Sequence, residues 1–124
     1  MSKKLLIVED DTVLQKALSS YLTTETFEVI SALDGEEGIR MALSEKPDLI
    51  LLDIVLPKKD GYQVLQEVKA NSETKHIPIV LLTNLGSIAD VEKALEMGAT
   101  TYLVKADYKL EEVDAKIKEI LNIK

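Results

Sequence analysis

The chain has 124 residues, enough for one compact domain with a single hydrophobic core but too few for a second folding unit beside it. Its formal charge of −7 at pH 7 argues against a nucleic-acid-binding surface, because such surfaces attract phosphates through clustered lysine and arginine. No apolar stretch approaches the roughly 20 residues of a membrane span, so we expect residues 1–124 to form a cytoplasmic domain without membrane contact.

Five short apolar runs, each bounded by turn residues, predict the buried strands of a parallel sheet. They are Leu5 to Val8, Phe27 to Ser31, Leu49 to Leu52, Ile79 to Leu82 and Thr101 to Val104. The second run contains polar residues such as Glu28, which favours an edge position. Apolar residues recur at helical spacing after each run. Asp34 with Glu37 resembles a capping box at a helix start, and the Asp60-Gly61 pair indicates a turn into a helix. This alternation predicts an α/β class: a doubly wound five-stranded parallel sheet with five helices on its two faces.

Polar side chains follow four of these runs at the point where each run ends. Glu9 and Asp10 follow the first run, Asp53 the third, Thr83 the fourth and Lys105 the fifth. Ligands of doubly wound sheets bind beyond the carboxyl ends of the strands, where the strand order reverses. Each residue taken singly has an alternative explanation as a helix cap. That alternative does not account for Lys105, nor for Asp53, which no helix follows directly.

The residue types at these ends fit a phosphate and a divalent metal. Glu9, Asp10 and Asp53 would converge, and three neighbouring carboxylates stay ionised together only with a cation between them. Hard oxygen ligands favour Mg²⁺ over Zn²⁺ or copper. Lys105 and Thr83 would donate hydrogen bonds to phosphoryl oxygens, which leaves one carboxylate to act as a nucleophile.

Four motifs, LLIVEDD, DLILLDIVLPKKDGY, IVLLT and TYLVK, occur in this order along the chain. Together they resemble the response-regulator receiver domain, the phospho-acceptor of two-component signalling, over essentially the whole length. The resemblance implies a flavodoxin-like sheet with strand order 2-1-3-4-5. It also implies that Asp53 is the phosphorylated residue and that Asp10 and Asp53 bind Mg²⁺ directly. Glu9 would act through metal-bound water, the backbone carbonyl of Val55 would complete the protein ligands, and Asp11 would cap the first helix.

The resemblance also implies how the site signals. Thr83 and Lys105 would bind the phosphoryl oxygens, and in the family a movement at the threonine is coupled to an aromatic residue on the fifth strand, here Tyr102. The output surface would comprise the fourth helix, fifth strand and fifth helix, roughly residues 87–121. The alternative for Tyr102 is a partly buried strand aromatic with an exposed hydroxyl. Ala106 stands where many receivers have proline, and the sequence leaves the cis or trans state of the Lys105-Ala106 bond open.

The implied activity is phosphoryl transfer to the domain itself, from a histidine kinase or a small acyl phosphate, followed by hydrolysis. This makes the chain a signalling protein with self-phosphorylation and autophosphatase activity only. We expect a sensor histidine kinase or histidine phosphotransfer domain as the upstream partner, a protein target downstream, and a monomer or phosphorylation-dependent dimer. The alternatives are a receiver excised from a DNA-binding transcriptional regulator and a phosphorelay intermediate. Lys58 and Lys59 are predicted to be solvated charges.

Overall fold

The computed structural model describes residues 2–24, 26–54, 56, 58–83, 88–104 and 109–123. Strands and helices alternate in the order β1 (Lys3–Val8), α1 (Thr12–Leu22), β2 (Phe27–Ala32), α2 (Gly35–Glu45), β3 (Leu49–Asp53), α3 (Gly61–Ala70), β4 (Ile79–Thr83), α4 (Ile88–Glu96), β5 (Thr101–Val104) and α5 (Leu110–Ile120). The predicted alternation is confirmed. In the described part of the chain, every helix is too short or too polar to cross a bilayer.

The five strands pair in parallel in the order β2-β1-β3-β4-β5, as the resemblance implied. β2 is an edge strand, as its polar residues indicated, and β5 is the other edge. From β1 the chain first moves outward to β2 and then returns to place β3 on the other side of β1. The reversal of strand order therefore lies between β1 and β3, where Val8 pairs with Leu52.

The sheet separates two hydrophobic cores, which confirms the prediction of helices on both faces. Successive residues of a strand point to opposite faces. Leu6 and Val8 of β1 accordingly pack in the core that α2, α3 and α4 cover. Leu5 and Ile7 pack in the core that α1 and α5 cover. All five residues of β3 are buried, because this central strand is covered on both faces.

The predicted helix starts at Asp34 and Asp60 are both present. The Asp60 side chain accepts a hydrogen bond from the backbone N–H of Gln63 at 3.0 Å, and the Gln63 side chain accepts one from the N–H of Asp60 at 3.0 Å. These reciprocal bonds form a capping box at α3. At α2 the Asp34 carboxylate accepts from the N–H of Glu37 at 2.8 Å. The Glu37 carboxylate accepts from the N–H of Leu33 instead of closing a box with Asp34.

A lysine joins the end of α3 to the segment that enters β4. The Lys69 Nζ donates to the carbonyl oxygens of Lys75 at 3.0 Å and Ile77 at 2.8 Å. The buried hydroxyl of Thr74 donates to the carbonyl of Val68 at 2.7 Å in the same turn. Burial lowers the pKa of the Lys69 ammonium group below its usual value. Lys69 therefore supplies donors for two backbone carbonyl groups of the segment between α3 and β4.

We expect Lys69→Met to destabilise the fold, because it keeps the apolar stem but removes both hydrogen bonds. The expected loss is about 1–3 kcal/mol in the free energy of unfolding, measured by urea denaturation. Lys75→Met is the matched control, since the Lys75 side chain is exposed and only its carbonyl oxygen accepts from Lys69. Equal denaturation midpoints for the two variants would contradict this role of Lys69.

Candidate metal centre

Pairing between β1 and β3 brings two carboxylates to the same edge of the sheet. Val8 lies opposite Leu52, so the next residues, Glu9 just after β1 and Asp53 at the end of β3, lie side by side. The side chain of Glu9 is fully buried and Asp53 is 4% exposed. Both positions were predicted from the ends of their apolar runs.

Asp10 completes a cluster of three carboxylates at this edge. Glu9, Asp10 and Asp53 each offer one oxygen atom, and these atoms lie within 4.8 Å of one another. Asp10 is exposed, so the cluster opens to solvent on its side. Like charges at this separation repel, whereas a cation bound between them is stabilised. A set of hard oxygen donors with access to water fits Mg²⁺, which keeps several of its own waters when bound to protein.

The neighbouring Asp11 has a structural role, as expected. Its carboxylate accepts hydrogen bonds from the N–H groups of Val13 at 3.0 Å and Leu14 at 3.1 Å, which caps α1. The N–H of Asp11 also donates to Glu9 Oε2 at 3.2 Å. The turn between β1 and α1 therefore helps to orient the buried Glu9 carboxylate.

The start of α3 lies against the backbone that follows Asp53. The N–H of Gly61 donates to the carbonyl oxygen of Ile54 at 2.7 Å. A Cβ atom on Gly61 would lie 2.5 Å from both the carbonyl oxygen of Asp53 and the Cα of Ile54, so only glycine fits this approach. The Asp60-Gly61 pair was predicted as a helix start, but its contact with the Asp53 backbone was not.

Other predicted site residues are placed in part. Thr83 is the last residue of β4 and pairs with Val104 of β5, while the position of its side chain falls outside what the structure describes. Val55 and Lys105 also lie outside the described residues, as does the Lys105-Ala106 bond. Tyr102 lies on β5 opposite Leu81, and its side chain is 44% exposed. The functional assignments of these residues remain predictions.

The sequence did not reveal one close contact of the segment that follows Asp53. A Cβ atom on Gly35, the first residue of α2, would lie 1.6 Å from the carbonyl oxygen of Lys59. The position of Gly35 directly after the helix cap Asp34 was the available signal for this close backbone approach.

The predicted solvation of Lys58 and Lys59 holds in part. Both side chains reach the surface, but each forms an ion pair: the Lys58 Nζ lies 3.7 Å from Asp34, and the Lys59 Nζ lies 3.0 Å from Glu67.

Comparison with known proteins adds sequence relatives. A family model described as the response regulator receiver domain matches residues 5–118. A probable transcriptional regulator, ycf27, of Cyanophora paradoxa is 40% identical over 119 residues, which cover 96% of this chain and 48% of the relative. The chain thus spans about half the length of the ycf27 relatives that it matches.

Solved structures agree with this match. A protein described as a response regulator from Chloroflexus aurantiacus J-10-fl superposes with a TM-score of 0.90 at 34% identity, over 98% of this chain and 99% of that chain. The receiver domain of a sensor histidine kinase from Pseudomonas aeruginosa PAO1 gives a TM-score of 0.86 at 30% identity, over 96% and 97% of the two chains. That structure has a magnesium ion coordinated in its active site cleft. The fold and both kinds of comparison lead to the same conclusion: this chain belongs to the response regulator receiver domain family of two-component signalling.

Proposed function

We propose that this domain accepts a phosphoryl group on Asp53 in a Mg²⁺-dependent reaction and signals through the surface formed by α4, β5 and α5. The observation that carries the proposal is the convergence of Glu9, Asp10 and Asp53, with carboxylate oxygens within 4.8 Å of one another. They lie at the carboxyl-terminal ends of β1 and β3, between which the strand order reverses. The magnesium ion in the Pseudomonas receiver supports the same use of this edge.

The three carboxylates have different environments, which suit different roles. Asp10 is exposed and, with Asp53, would hold the ion directly, while the buried Glu9 would act through a bound water. The backbone carbonyl of Val55 would complete the protein ligands. Bound Mg²⁺ supplies the positive charge that lets phosphoryl oxygens approach this acidic cluster.

Asp53 is the proposed nucleophile because it matches the phospho-acceptor position of the receiver family, and its carboxylate lies at the end of a strand that is buried along its whole length. One of its oxygens would attack the phosphorus of a phosphohistidine or an acyl phosphate. The new bond joins that oxygen to phosphorus, and the bond from phosphorus to the imidazole nitrogen or acyl oxygen breaks. Thr83 and Lys105 would donate hydrogen bonds to the phosphoryl oxygens. Later attack by water on phosphorus would release phosphate and restore Asp53.

The β4–β5 pair offers a route from the site to the output surface. Thr83 pairs with Val104, and Tyr102 lies two residues earlier on β5, so Tyr102 and Val104 point to the same face of the sheet. Tyr102 is 44% exposed, which leaves room for its ring to change position. We assign it as the switch residue of an output surface that spans roughly residues 87–121.

The proposed upstream partner is a sensor histidine kinase or a histidine phosphotransfer domain in the cytoplasm, and the downstream partner is a protein. A second candidate has specific support: the chain spans 48% of the ycf27 relative, which is a probable transcriptional regulator. This domain would then be the receiver of a DNA-binding regulator that responds by dimerising. A role as a phosphorelay intermediate is the other alternative, and its mark would be phosphate loss to a phosphotransfer domain instead of water.

Intact mass after incubation with acetyl phosphate tests the acceptor. We expect a single phosphoryl adduct that requires Mg²⁺ and is absent from Asp53→Asn, because the amide is a far weaker nucleophile than the carboxylate. Circular dichroism of the variant checks that it is folded. An adduct of equal yield in Asp53→Asn, or none in the folded parent protein, would contradict the proposal.

Substitutions at Asp10 and Asp11 should separate metal binding from helix capping. Asp10→Asn should raise the metal-free stability by about 1 kcal/mol, because it relieves carboxylate repulsion, and should remove the stabilisation that Mg²⁺ gives. Asp11→Ala should lower stability by about 1 kcal/mol through loss of the cap, with the Mg²⁺ effect retained. Urea denaturation with and without Mg²⁺ measures both effects. The assignment fails if Mg²⁺ stabilises Asp10→Asn as it does the parent protein.

The switch assignment predicts that phosphorylation changes the environment of Tyr102. With ring-labelled tyrosine, we expect the NMR signal of Tyr102 to shift when acetyl phosphate and Mg²⁺ are added. Tyr21 is an internal control, since it has the same 44% exposure but lies on α1. A Tyr102 signal that stays constant in protein shown by mass to be phosphorylated would argue for the simple surface aromatic.

A further inference from the structure

The segment that connects Asp53 to α3 is in contact with the starts of two helices. Ile54, the first residue of the segment, contacts Gly61 of α3, whose N–H donates to the carbonyl oxygen of Ile54 at 2.7 Å. The end of the segment lies under Gly35 of α2, where a Cβ atom would be 1.6 Å from the carbonyl oxygen and 2.5 Å from the carbonyl carbon of Lys59. Ile54 and Lys59, near the two ends of this segment, are therefore held against α3 and α2 respectively.

The contact at Gly35 leaves no room for any side chain. Cβ atoms in proteins essentially never approach other heavy atoms closer than 3.0 Å, so a methyl group at Gly35 would displace Lys59 or α2 by about 1.4 Å. The atoms in contact belong to the Lys59 backbone, which cannot rotate away as the end of a long side chain can. Gly35 does not have a left-handed backbone, so close packing explains the glycine.

Asp34 fixes the turn of α2 that carries Gly35. One carboxylate oxygen accepts from the N–H of Glu37 at 2.8 Å, and the other lies 3.7 Å from the Lys58 Nζ. The Lys58 side chain is 64% exposed, so this ion pair contributes little energy. The helix cap is the stronger of the two links, because it orders the first turn of α2.

A displacement of Lys59 would reach the acceptor residue through Gly61, two residues further on. Gly61 has no spare room, since a Cβ atom there would lie 2.5 Å from the carbonyl oxygen of Asp53. The path from Gly35 to Asp53 therefore runs through two close backbone contacts, Gly35 with Lys59 and Gly61 with Asp53, joined by the chain from Lys59 to Gly61. Rotation of a side chain relieves neither contact. Shifts of about 1 Å in the groups around a reacting centre have large effects on binding and rate.

We propose that Gly35 is a positioning residue for the Asp53 site, which fixes the place of Lys59 and Gly61 and through them the geometry in which the site binds Mg²⁺. The inference rests on the proposed function, because it assigns Gly35 a role in metal binding at Asp53. Gly35 itself contacts neither the metal nor the phosphoryl group. Its role is to let the start of α2 lie against the backbone of Lys59, which supports the segment between Asp53 and α3.

The test compares Gly35→Ala with Val68→Ala. Val68 is buried near the end of α3, seven residues after Gly61, so its truncation lowers stability at a distance from the contacts of Gly35 and Gly61. Backbone amide shifts of Asp53, Ile54 and Lys59 are recorded in the metal-free proteins, and Mg²⁺ affinity is then measured by NMR titration. We expect Gly35→Ala to shift these amides and weaken Mg²⁺ binding about tenfold, a typical effect of losing support around a metal site. Val68→Ala should retain the parent affinity.

The outcomes separate this inference from the proposed function. Unchanged amide shifts in Gly35→Ala, or a loss of affinity no larger than that of Val68→Ala, would overturn the positioning role. If the parent protein does not bind Mg²⁺ at all, the proposed function fails, while the metal-free amide shifts still decide whether Gly35 positions the loop.

A second pair of variants covers the case in which Gly35→Ala does not fold. Asp34→Ala removes the cap of α2, whereas Asp34→Asn keeps an acceptor for the N–H of Glu37; both remove the charge. We expect Asp34→Ala to weaken Mg²⁺ binding about threefold, which is less than the roughly tenfold or greater loss caused by removing a direct partner of a metal ligand, because Asp34 acts on the site only through α2 and Lys59. Asp34→Asn should restore the parent affinity. Equal affinities in Asp34→Ala and Asp34→Asn would overturn the proposal.

Discussion

The parallel pairing of β1 with β3 is the constraint on which the site depends. Both strands end at the same edge, so the residues after Val8 and Leu52 must lie side by side. These residues are Glu9 and Asp53, which are buried next to the exposed Asp10. Three carboxylates held this close together repel one another, and this repulsion opposes folding. The same repulsion favours the binding of a cation, because a bound cation relieves it.

The strands and the carboxylate site were predictable because their signals are local. A parallel strand that is buried on both faces reads as a continuous apolar run, and its end is marked by the first polar residue, as at Asp53. The capping role of Asp11 likewise depends on the two or three residues that follow it. The strand order came from the family resemblance, because an apolar run does not encode which strand lies beside it.

Contacts between distant segments were not predictable in this way. Gly35 contacts Lys59 only because α2 and α3 pack beside each other. The sequence around Gly35 does not indicate which residue it will contact. The capping pair at α2 shows a smaller error of the same kind. Asp34 caps the helix, but the Glu37 carboxylate bonds to the N–H of Leu33, because the path of the preceding turn decides which donor lies within reach.

The proposed acceptor and the proposed switch residue occupy opposite kinds of position in the sheet. Asp53 ends the central strand, which has a neighbour on each side, whereas Tyr102 belongs to β5 at an edge. A substitution on the central strand affects two ladders and two cores, while one on the edge affects fewer contacts. A substitution beside the carboxylates should therefore destabilise the fold more than one on the exposed side of β5. The edge strand can accordingly carry a contact surface whose side chains differ, while the central strand keeps the carboxylates in place.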